Sequence, residues 1–425
     1  MGPSRFWDSL EKQFDGIRMK TSHKDLISLI DLCRLDEHFK SLVSPMFAWR
    51  DWVVREGFQD HTIKLMDVLQ EDYSEVFERS WGTPNSHRSV SPFDLARWLC
   101  NKANNVGAKI SLKLFLDFIE NPVAPLYVIS LVEGVIPDET YYFDESTYLC
   151  TFEGLPKGVS ERMNFCWRSE SRDFNGEIPA YIVTRVECNV LNFSNYKGTE
   201  SVTQDQLFEI SQSHLLKSYF LSLFTRNVAA CIKKDWCVFE ESTPCSGFID
   251  SNETTFLQVV RPFYSESLQL SDKLCLQILL EKFKGLPEAT QNSIELALKR
   301  KTSAMNVNDP VDAAIDLGMC AESILTKSES SEQISLQVRL LGARLSSDVY
   351  KERVQHYNQL KAFYSIRSDA VHNAKVKDEY KVRDIGKIAP ILILNDTSKI
   401  LSLCVLKIIE LGGLSDFDKE LVLLR

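Results

Sequence analysis

The best-marked point in the sequence is a helix start at Asp309, within a long C-terminal stretch of helical patterns. Asp309 is a favoured N-cap, Pro310 fits the first helical position, and Asp312 lies where the helix dipole favours a negative charge. Apolar residues recur at helical spacing from about residue 271 to the end of the chain. We therefore predict an all-α bundle of about five or six helices over residues 270–425.

Three weaker signals divide this C-terminal stretch further. Ser330 and Gln333 have the spacing of a capping box, which predicts a helix start beside them. Residues 346–373 predict one long helix with at most one break. A last helix is expected to begin on Asp396 and to end at the pair Gly412-Gly413, because glycine is common just after a helix C-terminus.

The front of the chain gives a mixed pattern, and we predict an α+β region over residues 1–265. Residues 1–105 have mainly helical spacing, with Ser22 and Ser91 as N-caps. Residues 80–92 are predicted to form a loop because Gly, Pro, Asn and Ser are concentrated there.

Strand signals dominate residues 107–264, where we predict a strand-rich part with a helix near residues 204–232. The run Asp144-Glu145-Ser146 has turn chemistry and predicts a hairpin. The predicted strands are ISLKLFLDF, PLYVISLVEGVI, the two sides of that hairpin, AYIVTRVECNVLNF and TTFLQVVRPFY.

Composition excludes several classes of protein. The 11 cysteines are scattered singly, which argues against a disulfide scaffold and against a structural metal site. No apolar run approaches the ~18 residues that a membrane helix needs, and nothing resembles a secretory signal. We expect a soluble cytoplasmic protein with no membrane segment, no metal and no cofactor.

Charge is unevenly distributed along the chain. The net charge of -10 is unfavourable for a nucleic-acid binder, since phosphate contacts need clustered Lys and Arg. Residues 351–387, however, contain nine basic and five acidic side chains. An anion-binding surface is therefore expected in the C-terminal part, while the acidic excess belongs to the remainder.

An Arg-x4-His motif, Arg367 to His372, lies inside that basic stretch. The spacing alone is a weak signal, because the chain contains a second copy from Arg18 to His23. That second copy straddles the cap of a predicted helix and has no basic cluster beside it. The Arg367 copy follows an aromatic helix face and precedes four basic residues. The aromatic residues are Tyr357, Phe363 and Tyr364, and the basic ones are Lys375, Lys377, Lys381 and Arg383.

Residues 311–377 resemble the HEPN superfamily, specifically its Apea-like branch. The matching pieces are AAIDLGMCAESIL, which contains Glu322, then ISLQVRLLGARLSS and FYSIRSDAVHN. Asn373 stands where the branch usually has Gly, and Asp369 where it often has a basic residue. The resemblance covers roughly residues 288–410 and does not reach the first 260 residues.

The resemblance implies a metal-independent endoribonuclease that works as a homodimer. His372 would serve as base or acid, since histidine is the side chain type that can take up or release a proton near neutrality, and Arg367 would bind phosphate with its planar fork. Ser368 or Asp369 would orient them, and Glu322 would hold Arg367. The RNA-binding candidates are Tyr364, Asn373, Lys375, Lys377, Lys381 and Arg383.

The resemblance also implies a cellular role, which is bacterial antiviral defence by abortive infection. The substrate would be host RNA such as tRNA, and the α+β front region would act as a sensor or lock that binds a phage-derived trigger. Its acidity would keep RNA away until the trigger arrives.

Structural alternatives remain open for each of these residues. Glu322 could be an acid that only holds an Arg in place, and the basic run could be a solvated face. The three aromatic residues favour a core role over base stacking. Arg367 and His372 could form a structural pair at a dimer seam, in which case the protein would be a non-catalytic adaptor that binds a protein or nucleotide.

Overall fold

The computed structural model describes residues 21–35, 60–77, 80–83, 86–89, 91–156, 158–160, 180–192, 204–225, 228–246, 249–252, 266–268, 270–326, 333–416 and 419. By its internal contacts the chain divides into two units. The first unit comprises Met1–Val128, Arg185–Leu207 and Trp236–Ser251. The second unit comprises Ile129–Thr184, Phe208–Asp235 and Asn252–Arg425.

The described part of the first unit begins with helices. They are α1 (His23–Cys33), α2 (Asp60–Asp72), α3 (Ser74–Phe77), α4 (Pro92–Val106) and α5 (Ala108–Glu120). Both predicted N-caps are confirmed, since Ser22 accepts from the Asp25 amide and Ser91 forms a full capping box with Asp94. Each cap satisfies amides that the first turn of a helix leaves unpaired.

The prediction of a strand for ISLKLFLDF is wrong, because these residues lie in helix α5. Ala108, Leu112 and Phe115 are buried, and this spacing of four and three places them on one helical face. The same run also alternates between apolar and polar residues, so its periodicity fits both structures. Gly107, at a φ of +84°, separates α5 from α4 and allows two helices to follow directly.

The predicted loop over residues 80–92 is also wrong in its first part. Strands β1 (Ser80–Thr83) and β2 (Ser86–Ser89) pair antiparallel, with Ser80 opposite Ser89. Pro84 and Asn85, which gave the segment its loop composition, lie between the strands and outside the described residues. These two turn residues gave the whole segment a loop composition, which hid the short strands on either side of them.

The strands of the central region are β3 (Val123–Glu133), β4 (Val135–Pro137), β5 (Tyr141–Tyr142), β6 (Thr147–Thr151), β7 (Ala180–Asn189), β8 (Leu191–Asn192), β9 (Cys231–Phe239), β10 (Ile249–Asn252) and β11 (Glu266–Leu268). Six of them form one sheet in the order β10-β9-β3-β7-β6-β5. The predicted hairpin is confirmed, since β5 and β6 pair antiparallel and Asp144 accepts from the amides of Ser146 and Thr147. Strands are also confirmed for PLYVISLVEGVI and AYIVTRVECNVLNF, whereas TTFLQVVRPFY lies outside the described residues.

The helix predicted near residues 204–232 is shorter than expected. Helix α6 (Gln204–Leu221) ends at Leu221, and β9 begins at Cys231. Ser222 ends the helix, because its hydroxyl accepts from the Ala230 amide at 2.9 Å and donates to the Ala230 carbonyl at 3.3 Å. These bonds turn the chain directly into the next strand.

The C-terminal part is helical, as predicted. Its helices are α7 (Leu270–Lys284), α8 (Glu288–Asn306), α9 (Pro310–Leu325), α10 (Ile334–Ser346), α11 (Tyr350–Asn373) and α12 (Pro390–Glu410). The helix start at Asp309 is confirmed, with its carboxylate accepting from the Val311 amide at 2.8 Å. Helix α11 is continuous through residues 350–373.

Three details of this part differ from expectation. Helix α12 begins at Pro390 rather than Asp396, because proline fits the first turn of a helix. Gln333 precedes α10 in a left-handed conformation without a side-chain cap, and Ser330 lies outside the described residues. A hairpin of β12 (Tyr380–Val382) and β13 (Gly386–Ile388) interrupts the helices, and its strands are too short to give a strand pattern.

One hydrophobic core fills the second unit. It combines Val132, Ile182 and Phe220 with Leu298 and Phe363 of the C-terminal helices. The core therefore contains residues on both sides of the boundary expected at 265–270. That boundary stays a prediction, but the apolar packing of the second unit continues across it. None of the helices that the structure describes is both long and apolar enough to cross a membrane.

Lys301 of helix α8 is an exception within this core. Only 1% of the residue is exposed, and its Nζ donates to the Ser222 carbonyl at 2.8 Å and lies 3.2 Å from the Met305 Sδ. Neither partner carries a negative charge, so burial lowers the pKa of Lys301 to about 8. Burying an ammonium group whose hydrogen-bond partner is a neutral carbonyl destabilises the fold, and packing elsewhere in the core offsets this cost.

Replacing Lys301 with Met should raise the free energy of unfolding at pH 7 by roughly 1–3 kcal/mol. The pKa of Lys301 is lower in the folded state than in the unfolded state. The free energy of unfolding of the wild type therefore increases as pH rises from about 8 toward 10.5. The advantage of Lys301→Met should therefore shrink over that range, as urea unfolding at pH 7 and pH 10 would measure. Lys299→Met, an exposed change on the same helix, is the control. A less stable Met variant at pH 7 would contradict this account.

Candidate functional site

Helix α11 carries both residues of the Arg-x4-His motif. Arg367 is half-buried and points toward helix α9, where its Nη2 lies 2.8 Å from the Glu322 Oε1. The expected contact between Glu322 and Arg367 is therefore present. Tyr364, one turn earlier on α11, donates from its hydroxyl to the same Glu322 oxygen at 3.2 Å.

The Arg367 side chain is fixed on three sides. Its guanidinium carbon lies 5.9 Å from the centre of the Tyr364 ring, within cation–π range. On α9, a Cβ atom at Gly318 would come within 3.0 Å of the Arg367 Cγ and 3.1 Å of its Nε. Arg367 thus occupies the space that a side chain at position 318 would fill. The remaining guanidinium edge is open to a ligand, since 31% of the side chain is exposed.

Burial and charge act on Tyr364 as well. Only 9% of the residue is exposed, and burial, followed by the nearby Glu322 carboxylate, raises the pKa of its hydroxyl. The phenol therefore stays protonated and keeps donating to Glu322. Phe363 is fully buried and packs edge-on against Tyr364, so these two rings form core rather than an exposed stacking surface.

His372 lies apart from this cluster. It is exposed in the last turn of α11, one turn after the exposed Ser368. Residues five apart on a helix are separated by about 140°, so one chain does not bring His372 and Arg367 onto the same stripe. Within the part of the chain that the structure describes, His372 forms no hydrogen bond or ion pair.

Asp369 belongs to a third group, which we call the Asp369 clasp and which consists of Asp369, Lys377 and Tyr380. Its Oδ2 accepts from the Tyr380 hydroxyl at 2.8 Å and lies 2.8 Å from the Lys377 Nζ. The Tyr380 hydroxyl in turn accepts from the Lys377 amide at 3.1 Å. Lys377 and Tyr380 hold the pKa of Asp369 below its usual range. The clasp fastens the β12–β13 hairpin to the end of α11.

The other RNA-binding candidates are distributed around this helix end. Lys375 and Lys381 are exposed, and Arg383 is 82% exposed with its Nε 3.9 Å from the Asp384 carboxylate. Asn373 donates weakly to Asp369 at 3.5 Å. Asn373 itself is the last helical residue, and the left-handed residue that ends the helix is Ala374, at a φ of +49°.

A basic groove of about 550 Å³ lies between helices α10 and α11, beside Arg367. Its charged lining consists of Arg339, Lys361, Arg367 and Lys377, with Asp369 as the one acid. Arg339 and Lys361 were not singled out from the sequence. Both lie in segments that the sequence predicts to be helical, but only the packing of α10 against α11 shows that they face the same groove.

Comparison with models of known protein families, with curated proteins and with solved structures gave no match. Support for a function therefore has to come from the site itself. Among the residues that the structure describes, no group of three His, Cys, Asp or Glu side chains could hold a metal ion.

The second copy of the motif is not formed as a site in what the structure describes. Arg18 lies outside the described residues, and His23 is the first residue of α1. Ser22 between them acts as the N-cap, as the sequence indicated.

Gly318→Ala tests whether close packing against α9 positions Arg367. Alanine has the better helix propensity by about 0.5–1 kcal/mol, while its Cβ forces the Arg367 side chain to shift by a few tenths of an ångström and so lengthens the Glu322 contact. Thermal unfolding and a crystal structure of the variant would measure both effects. Met319→Ala, an exposed change on the same helix, should leave Arg367 in place. An unmoved Arg367–Glu322 pair in Gly318→Ala would refute the assignment.

Asp369→Ala should release the β12–β13 hairpin, so that amide hydrogen exchange over residues 375–388 becomes faster. The pKa of Asp369 is lower in the folded state than in the unfolded state. In the wild type the clasp is therefore present at neutral pH, and its contribution to stability is lost as pH falls below about 3.9. Asp378→Ala removes an exposed acid beside the same hairpin, outside the clasp, and serves as the control. Equal exchange in the two variants would rule out the clasp.

Proposed function

We propose that this chain is a metal-independent endoribonuclease that cuts RNA as a homodimer. The observation that carries the proposal is the fixed Arg367 guanidinium, held by Glu322, Tyr364 and the gap at Gly318, with one edge open beside a basic groove. A preorganised cation of this kind suits charge that develops on a phosphate during cleavage. The resemblance to the HEPN superfamily points to the same chemistry.

The proposed reaction needs no group beyond RNA and this chain. The substrate's 2′-oxygen attacks phosphorus, and its proton passes to one imidazole. The bond from phosphorus to the 5′-oxygen breaks, and that oxygen takes a proton from a second imidazole. The products are a 2′,3′-cyclic phosphate and a 5′-hydroxyl. Arg367 would bind the phosphate oxygens, because its guanidinium stays charged and presents a fixed fork.

Two imidazoles call for two chains, since each chain offers one His372. An exposed stripe along α11 supports a helix-to-helix contact between copies. Positions 350, 354 and 372 fall within an arc of about 40°, and all three residues are exposed. Tyr350 is 80% and Val354 39% exposed, so the stripe combines apolar area at one end with His372 at the other.

The cellular role that accompanies this proposal is bacterial antiviral defence by abortive infection. Host RNA such as tRNA would be the substrate, and the N-terminal α+β region would restrain the nuclease until a phage-derived trigger binds. The support for this role is the sequence resemblance together with the acidic excess outside residues 351–387.

In EDTA, and with an extract of phage-infected cells as the source of the trigger, purified full-length protein should cut total RNA into discrete fragments that end in 2′,3′-cyclic phosphate. His372→Ala and Arg367→Ala should each lower the cleavage rate at least about 100-fold, since each removes a group that acts on the reacting phosphate. Both variants should keep the wild-type mass, which light scattering should place at twice 48.6 kDa.

The matched control is His356→Ala, which removes the other histidine of α11 and should leave cleavage intact. His356 lies near the start of the helix, where it contacts the Ser346 hydroxyl. RNA left whole by the wild type would contradict the proposal, as would cleavage that persists in His372→Ala or a protein that stays monomeric.

A further inference from the structure

The basic groove between α10 and α11 extends beyond the residues that the proposed reaction uses. Two of its cations already have acidic partners, because Arg367 contacts Glu322 and Lys377 contacts Asp369. Arg339 and Lys361 are different, as neither forms an ion pair with any residue that the structure describes. Among the described residues, the groove therefore holds two positive charges next to Arg367 that have no acidic partner.

Arg339 is held in place by groups that leave its charge unneutralised. Its Nε donates to the Ser335 carbonyl at 2.8 Å, and its guanidinium carbon lies 5.5 Å from the centre of the Tyr357 ring on α11. A guanidinium that is already fixed against a ring has little conformational freedom left to lose, so binding an anion costs less conformational entropy. This is the arrangement expected of a ligand-binding arginine rather than of a solvated one.

Arg339 and Arg367 line the same groove. Both guanidinium groups are close enough to the Tyr364 hydroxyl to act on it electrostatically, against the effect of burial. Lys361 lines the same groove one turn before Tyr364 on α11. Several cations in one groove suit a chain of phosphates better than a single anion.

The proposed cleavage selects the kind of chain. The attacking 2′-oxygen has to come in line with the bond that breaks, and the base-paired backbone of a duplex holds it out of line. Single-stranded nucleic acid is typically bound by a basic groove that follows its backbone, and the cations of this groove lie beside Arg367.

We infer that the groove between α10 and α11 binds single-stranded RNA, with Arg339 and Lys361 as phosphate-binding residues next to the site of cleavage. This inference rests on the proposed function for its choice of RNA, and it assigns Arg339 and Lys361 no part in proton transfer.

The test measures binding separately from cleavage. The probe is a short, fluorescently labelled single-stranded oligoribonucleotide with 2′-O-methyl groups, which cannot supply the attacking hydroxyl. Full-length Arg339→Gln and Lys361→Gln should each bind it about tenfold more weakly at low salt. The slope of log K against log salt should fall by about 0.7 for each lost phosphate contact.

Three comparisons make the result decisive. Lys299→Gln removes an exposed charge from α8, outside the groove, and should bind as the wild type does. Arg339→Lys keeps the charge without the planar group on Tyr357, so its affinity should lie between those of the wild type and Arg339→Gln. A hairpin duplex of equal charge should bind more weakly than the single strand.

Wild-type affinity in Arg339→Gln and Lys361→Gln would overturn the inference, even if the protein cuts RNA. Equal affinity for the duplex would overturn the assignment to single strands. Arg339-dependent binding by a protein that never cleaves would leave the inference standing and reject the proposed nuclease instead.

Discussion

The candidate site depends on how closely helix α11 approaches α9 at Gly318. With no side chain at that position, Arg367 lies against the α9 backbone and reaches Glu322 one turn further along. The ion pair itself contributes little to stability, on the order of 1 kcal/mol or less, because both side chains are partly exposed. Its consequence is positional, since the pair, the Tyr364 ring and the gap at Gly318 together hold the Arg367 side chain against α9.

Charge near the end of α11 is divided between structure and binding. Lys377 counts as one of the basic residues of this segment, but its ammonium group is paired with Asp369 in the clasp that anchors the following hairpin. Arg339 lies further away in sequence and is available to a ligand, because its partners are a carbonyl and a ring. The number of basic residues in residues 351–387 therefore says less about anion binding than the identity of each partner does.

Sequence patterns predicted best what is decided locally. Ser91 and Asp309 cap helices as expected, since a cap needs only the residues of the next turn. Residues 108–120 were misassigned because their apolar spacing fits both a strand and a helix, and tertiary burial decides between the two. The Glu322–Arg367 contact was anticipated through family resemblance, whereas Arg339 could not be, because only the packing of α10 on α11 brings it beside Arg367.

The continuous core of the second unit limits how such a chain can change over evolution. Phe220 and Ile182 pack into the same apolar interior as Leu298 and Phe363 of the C-terminal helices. Recombination at residue 270 would separate these partners and expose apolar surface on both sides of the break. The helical part therefore cannot be exchanged between proteins as an interchangeable cassette. Diversification of what it recognises has to proceed by substitution at the surface, in the groove and on the exposed stripe of α11, while the interior stays constant.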